Sequence, residues 1–275
     1  MNEIFYRLIT SIINLPEVQS IGKTGSKDIS FSEDNDVDIF IICNNTPDLK
    51  TREIIYNDIN YDLKIKTHDF EGKYWGTLDL INIDKIEICL MYFNRSKVEN
   101  EIDDILQGNR IKKEENYFYP MGRCATYKNI NILYDKSMFL ENMKLKLSDY
   151  PDKLYDKNID FHLSKLNDSE DMKSAIQKKD ILFYHSALDN SIDHYLQLLF
   201  TLNYCFFPSR KRSFLYINEF KYKPKNCIER LIEIVKYGGE VNTINKSYEK
   251  WKEIVKETIE LINSNKNGQP AHNKR

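Results

Sequence analysis

The chain has 275 residues, 41% of them hydrophobic, enough for one large or two ordinary domains with sizeable cores. Charged residues make up 30%, yet the net charge is only −2, so there is no global basic field for gripping nucleic acid. The five cysteines (Cys43, Cys89, Cys124, Cys205, Cys227) are widely spaced, with no C-x-x-C pair, which excludes a cysteine-built zinc site and fits a reducing compartment. No apolar run approaches the ~20 residues that cross a bilayer. The opening Met1-Asn2-Glu3-Ile4 lacks the basic and long apolar segments of a signal peptide. A cytoplasmic protein without membrane association is expected.

Apolar residues at helical spacing (Ile4, Phe5, Leu8, Ile9, Ile12, Ile13) predict a helix over 3–14, ended before Pro16. A short strand over 18–21 runs into Gly25-Ser26, and the continuous apolar run over 37–43 predicts a buried central strand. A helix over 47–57 follows, then a strand over 61–67 and paired strands over 77–83 and 85–93 around Asp84. Helical periodicity returns over 96–106. Past residue 135 the texture changes. A helix over 138–147 stops at Asp149-Tyr150-Pro151. The widest apolar stripe covers 172–205 and ends before Pro208, and two more helices, 226–237 and 248–264, flank Gly238-Gly239. The expected fold class is α/β (α+β): a mixed-sheet domain over 1–137, an all-α helical bundle domain over 138–264, and a disordered polar tail over 265–275.

The most informative stretch is Gly25-Ser26, a spacer, then Asp36-Val37-Asp38 opening the apolar run Ile39-Phe40-Ile41-Ile42-Cys43. Carboxylates one residue apart on a strand share a face, because side chains alternate with a period of two. Such a pair repels unless a divalent cation, Mg²⁺ or Mn²⁺, holds both ionised. Gly25 lets the backbone approach an anion closely, and the Ser26 hydroxyl and N–H can donate to phosphate oxygens. Taken singly, each half has a bland reading: Gly-Ser is a common turn, and Asp-x-Asp is often a solvated strand end.

Together these residues resemble the signature of the DNA polymerase β-type nucleotidyltransferase superfamily, an apolar residue and Gly-Ser, a spacer, then Asp-x-Asp on a strand. The resemblance implies that Asp36 and Asp38 ligate metal and that a third carboxylate on a later strand completes the site. Glu87, between Ile86 and Ile88, is the favoured candidate, since an acid in an apolar run is costly without a cation. Asp62, in Tyr61-Asp62-Leu63-Lys64-Ile65, is the competitor. Glu in place of the commoner Asp departs from the pattern, though kanamycin nucleotidyltransferase-like members share it. Residues 131–136 look like the segment joining catalytic and helical domains in bacterial antibiotic-type nucleotidyltransferases, and residues 182–212 are similar to the helical domain of uncharacterised members of that group. The resemblance overall is to enzymes that act on aminoglycosides or lincosamides.

The helical half offers further polar groups. Asp189 and Asp193, at i and i+4, share a helix face and are assigned to acceptor binding or, for Asp193, to an alternative base. Arg210, Lys211 and Arg212 follow Pro208, with Lys211 and Arg212 assigned to nucleotide phosphates, against the plainer reading of a basic cap on a loop. His185 and His194 are expected to be structural. Tyr184, Tyr204 and Trp75 are candidates to stack on a base or sugar, although most aromatics belong to the core. The resemblance implies a Mg²⁺-dependent enzyme moving an NMP from an NTP, ATP foremost, to a hydroxyl of a small molecule. Two alternatives stay open: transfer to a macromolecule such as a tRNA 3′ end or a protein hydroxyl, and a non-catalytic nucleotide- or partner-binding module.

Overall fold

The computed structural model describes residues 3–25, 37–59, 65–70, 76–83, 86–114, 119–166 and 170–268. The chain divides into two compact units: Met1–Asn109 with Arg123–Asp149, and Arg110–Gly122 with Tyr150–Arg275.

The first unit is built on a mixed sheet of six strands: β1 (Val18–Lys23), β2 (Val37–Cys43), β3 (Ile65–Phe70), β4 (Gly76–Ile83), β5 (Ile86–Asn94) and β6 (Asn131–Asp135), in the order β3-β4-β5-β2-β1-β6. β2 pairs with β5 in parallel and the other neighbours are antiparallel. The expected central strand is central: β2 lies between β5 and β1, and all but Asp38 of its side chains are buried, which is why it reads as an unbroken apolar run. The helices are α1 (Glu3–Ile13), α2 (Leu49–Ile59), α3 (Arg95–Leu106), α4 (Pro120–Asn129), which begins in the other unit, and α5 (Phe139–Lys146).

One face of the sheet carries Ile21, Ile39, Ile41, Ile81, Leu90 and Tyr92 into a core shared with Phe5, Leu8 and Ile12 of α1 and Tyr56 of α2. Full burial of each such aliphatic side chain contributes about 1.5–3 kcal/mol. On the other face, Phe40 meets Phe93 at 4.8 Å and Tyr127 of α4 at 5.7 Å, and the Arg123 guanidinium lies 4.9 Å from the Phe93 ring. Gly22 opens this face to close packing: a Cβ there would run into Ile130 and press on Leu140 Cδ1 at 3.3 Å. Asp135 then fixes α5, accepting from Phe139 N (2.8 Å), Glu141 N (3.0 Å) and Ser20 Oγ (2.6 Å).

The second unit is helical: α6 (Asp152–Leu166), α7 (Glu170–Lys178), α8 (Ile181–Leu202), α9 (Ser213–Glu219), α10 (Cys227–Gly238) and α11 (Ile244–Gly268). The stripe expected as one segment over 172–205 is two helices. Lys179 adopts φ 53, Asp180 N closes back onto Ala175 O at 2.9 Å, and the Asp180 side chain caps α8 by accepting from Phe183 N at 2.9 Å. α8 is buried nearly all round from Ser191 to Leu202, as the hub of a bundle must be. Its end is a left-handed turn at Tyr204 (φ 53), with Cys205 N bonding Phe200 O at 2.9 Å. α11 carries helix past the expected end at 264, to Gly268; residues 269–275 lie outside the described residues. Among the described residues no helix is long and apolar enough to cross a membrane.

Candidate functional site

Two of the residues singled out from the sequence share one sheet face in the first unit. Asp38 stands directly opposite Cys89 across the parallel β2–β5 pair, and Glu87 lies two residues before Cys89. Period-two alternation therefore sends the Asp38 and Glu87 side chains to the same side. With strands ~4.8 Å apart and ~3.3 Å of rise per residue, their Cα atoms are roughly 8 Å apart, within reach of a shared cation or of each other's ligand. Both side chains are half-buried, as are Cys89 and Leu80 beside them on the same face. Asn82 faces Glu87 directly across β4–β5, a neighbour that no local pattern in the sequence announces.

The turn after β1 leads to the same corner. Thr24 N donates to Asp38 O at 3.0 Å, and Gly25 follows with φ +84, a conformation that L side chains rarely adopt. Among the described residues no atom lies within 4 Å of where a Gly25 Cβ would sit, and it is the positive φ that calls for glycine. Ser26, Asp36, Asp62 and Trp75 lie outside the described residues. Among the described residues, no group of three or more His, Cys, Asp or Glu converges as a metal cage. The donors on this face are carboxylates, the hard oxygen ligands that suit Mg²⁺ or Mn²⁺.

The expectation that Glu87 needs a cation because its strand is apolar on both sides is corrected here. Ile88 points into the α1–α2 core, but Glu87 points to the half-open face, where water can solvate it. A strand acid that is fully buried is Asp79 on β4, in the similar context Leu78-Asp79-Leu80. Its oxygens accept from Arg52 Nε (2.8 Å), Tyr56 OH (2.6 Å) and Thr67 Oγ1 (2.8 Å). Arg52 also donates to Pro47 O at 2.7 Å, and Tyr56 OH meets Tyr92 OH at 2.8 Å. Burial, then the adjoining Tyr92 and Asp79, push the Tyr56 phenol well above its usual range. With every oxygen of this network engaged, its role is to hold α2 against the sheet.

In the helical unit Asp189 and Asp193 do share a face of α8, and both turn to Arg210. The guanidinium grips Asp189 through Nη2 (2.7 Å) and Nη1 (2.8 Å), and its Nε lies 3.8 Å from Asp193 Oδ1. The two acids differ in setting: the Asp189 side chain is 56% exposed, whereas Asp193 is buried. Asp193 also accepts from Tyr119 OH and from Gln197 Nε2 (3.2 Å), with Lys113 Nζ at 3.6 Å. The Arg210 hydrogen bond holds Asp189 below the ordinary carboxylate range, and burial followed by the Asp193 bond raises the Tyr119 phenol. Arg210 is thus engaged with acids, while Lys211 and Arg212 are exposed. Tyr184 is fully buried and bonded to Ser247 Oγ at 2.8 Å, so it offers no ring to a ligand. Tyr204 is stacked on Tyr155 at 4.8 Å.

Residues 119–212 match the family model described as Domain of unknown function (DUF4037). That stretch holds Tyr119, Asp189, Asp193 and Arg210. No curated protein matches the chain. Among solved structures, the chain is similar to a nucleotidyltransferase-like protein from Exiguobacterium sibiricum 255-15, at 8% identity and a TM-score of 0.49, with 98% of this chain and 80% of that chain covered.

Proposed function

We propose that this protein is a divalent-metal-dependent nucleotidyltransferase that moves an NMP from an NTP to a hydroxyl of a small molecule. The observation that carries the reading is the β2–β5 register, which sets Asp38 and Glu87 on one half-open face beside the Gly25 turn. Asp38, Glu87 and, from the sequence, Asp36 would hold the cation, which when bound supplies positive charge against the phosphate oxygens. Gly25 leaves room for the triphosphate to approach the backbone, and Ser26 would donate to it. As the alternative to holding the cation, Glu87 would accept the proton of the attacking hydroxyl. Lys211 and Arg212, both exposed, would donate to nucleotide phosphates, a role assigned from the sequence, and ATP is the first donor to try. An aminoglycoside- or lincosamide-like acceptor follows from the resemblance alone. A polycationic one would have to compete with Arg210 for Asp189.

Thermal melts with ATP, GTP, CTP and UTP, each with and without Mg²⁺, test the proposal. A ligand at a hundredfold excess over its Kd raises stability by about 2.7 kcal/mol, a readily measured shift. The expected result is a rise in Tm with at least one nucleotide that requires the metal. No shift with any metal–nucleotide pair would overturn the proposal and leave the partner-binding alternative.

A further inference from the structure

Helix α6 meets α8 through two imidazoles. His162 Nδ1 and His194 Nδ1 are 2.9 Å apart, so one donates its proton to the other. His162 is 0% exposed, and its second nitrogen, Nε2, is buried without a hydrogen-bond partner among the described residues. Phe161 lies edge-on to both rings, at 5.1 Å from His162 and 5.7 Å from His194, and Lys112 Nζ sits 6.0 Å from the Phe161 ring.

We propose that the His162–His194 pair is an acid-sensitive latch between α6 and α8, closed when both rings are neutral and forced open when His162 takes up a proton. The chemistry follows from the geometry. With His162 Nδ1–H donating to His194 Nδ1, the only loss is the bare lone pair on His162 Nε2. A proton on His194 makes its Nδ1–H the donor, so His162 accepts at Nδ1 and carries its own proton on the buried Nε2; Asp193 favours that charge, while burial and two lysines oppose it. A proton on His162 puts a full charge at a site closed to water, with an Nε2–H that has no acceptor among the described residues.

The charged surroundings do not relieve this. From α8 the pair is faced by Asp193, from the 110–114 segment by Lys113, and from α6 itself by Lys165. The two lysines oppose a positive charge at His194, and Asp193 is already engaged by Tyr119, Lys113 and Arg210. Burial pushes the His162 imidazole from its ordinary 6.5 down to about 3, and burial also lowers His194. Because the folded value is the lower one, the unfolded chain binds the proton first. Stability is therefore complete above about pH 6.5 and is lost as the pH falls from there toward 3.

From pH 7.5 to 5.0, proton uptake by an unfolded histidine at 6.5 raises the unfolding constant roughly thirtyfold. The test is urea unfolding of the full chain at both pH values, followed by Trp251, which is buried against Tyr195 of α8, in a Trp75→Phe background. The parent should lose about thirtyfold more in folding constant than His162→Gln does, since carboxylate titration is common to both. Equal pH dependence in the two would overturn the latch. If His162→Gln does not fold, His194→Gln and the imidazole proton resonances of the parent decide. A His162 resonance that titrates near 6.5 in the folded chain refutes the proposal, and one that stays neutral until unfolding upholds it.

Discussion

Removing the charge of Asp79 should strongly destabilise the sheet unit. In Asp79→Asn the Arg52 guanidinium stays buried with no anion beside it, Pro47 O being a neutral acceptor, and one amide oxygen must serve the donors that two carboxylate oxygens served before. Breaking a buried ion pair by altering one partner costs about 3–5 kcal/mol. For a cooperative unit of this size each kcal/mol moves Tm by about 2–4 °C, so a fall of roughly 6–20 °C is expected. Arg52→Met should cost a similar amount. The double variant Arg52→Met/Asp79→Leu removes both charges and leaves Tyr56 OH still paired with Tyr92 OH at 2.8 Å, so its loss should be well below the sum of the single losses. Differential scanning fluorimetry with urea titrations at pH 7 measures all three. A shift under 2 °C for Asp79→Asn, or full additivity in the double variant, would refute the account of this network.

Asp38→Asn and Glu87→Gln should each lower nucleotidyl transfer by orders of magnitude while leaving stability within about 1 kcal/mol of the parent, because both side chains sit on a half-open face. A radiolabelled-NTP transfer assay paired with thermal melts checks this, and an active Glu87→Gln would shift attention to Asp62 and then to Asp193. Gly22→Ala should destabilise by about 1–3 kcal/mol, since Ile130 must give way to the new methyl group; urea midpoints unchanged from the parent would contradict the packing described.

The mixed sheet and the helical region were legible because their signals are local. The stripe Phe5, Leu8, Ile9, Ile12 gives α1, and the unbroken run of β2 announces a strand covered on both sides. What was missed depends on partners distant in sequence. β6 is short and half-exposed, and it is a strand because β1 pairs with it from more than a hundred residues away. α4 carries Gly122 in its first turn and no clear apolar stripe. The break at Lys179 rests on a left-handed lysine where glycine is the usual cue. The same limit governs the site. Leu78-Asp79-Leu80 and Ile86-Glu87-Ile88 look alike as text, and only the direction each acid takes from the sheet separates a structural carboxylate from a solvated one.

The parallel pairing of β2 with β5 has a consequence for how the acids come together in time. β2 ends at Cys43 and β5 begins at Ile86, so their docking closes residues 44–85 into a loop. Before β3 and β4 form, that closure costs about 3 kcal/mol of chain entropy. The β4–β5 hairpin and the helices need only near neighbours and can form first. Asp38 and Glu87 belong to the late, long-range part of folding, and their mutual repulsion appears only at that step. A divalent cation present during refolding would act on a long-range pairing of the sheet, and affinity for it would emerge with topology and not with collapse.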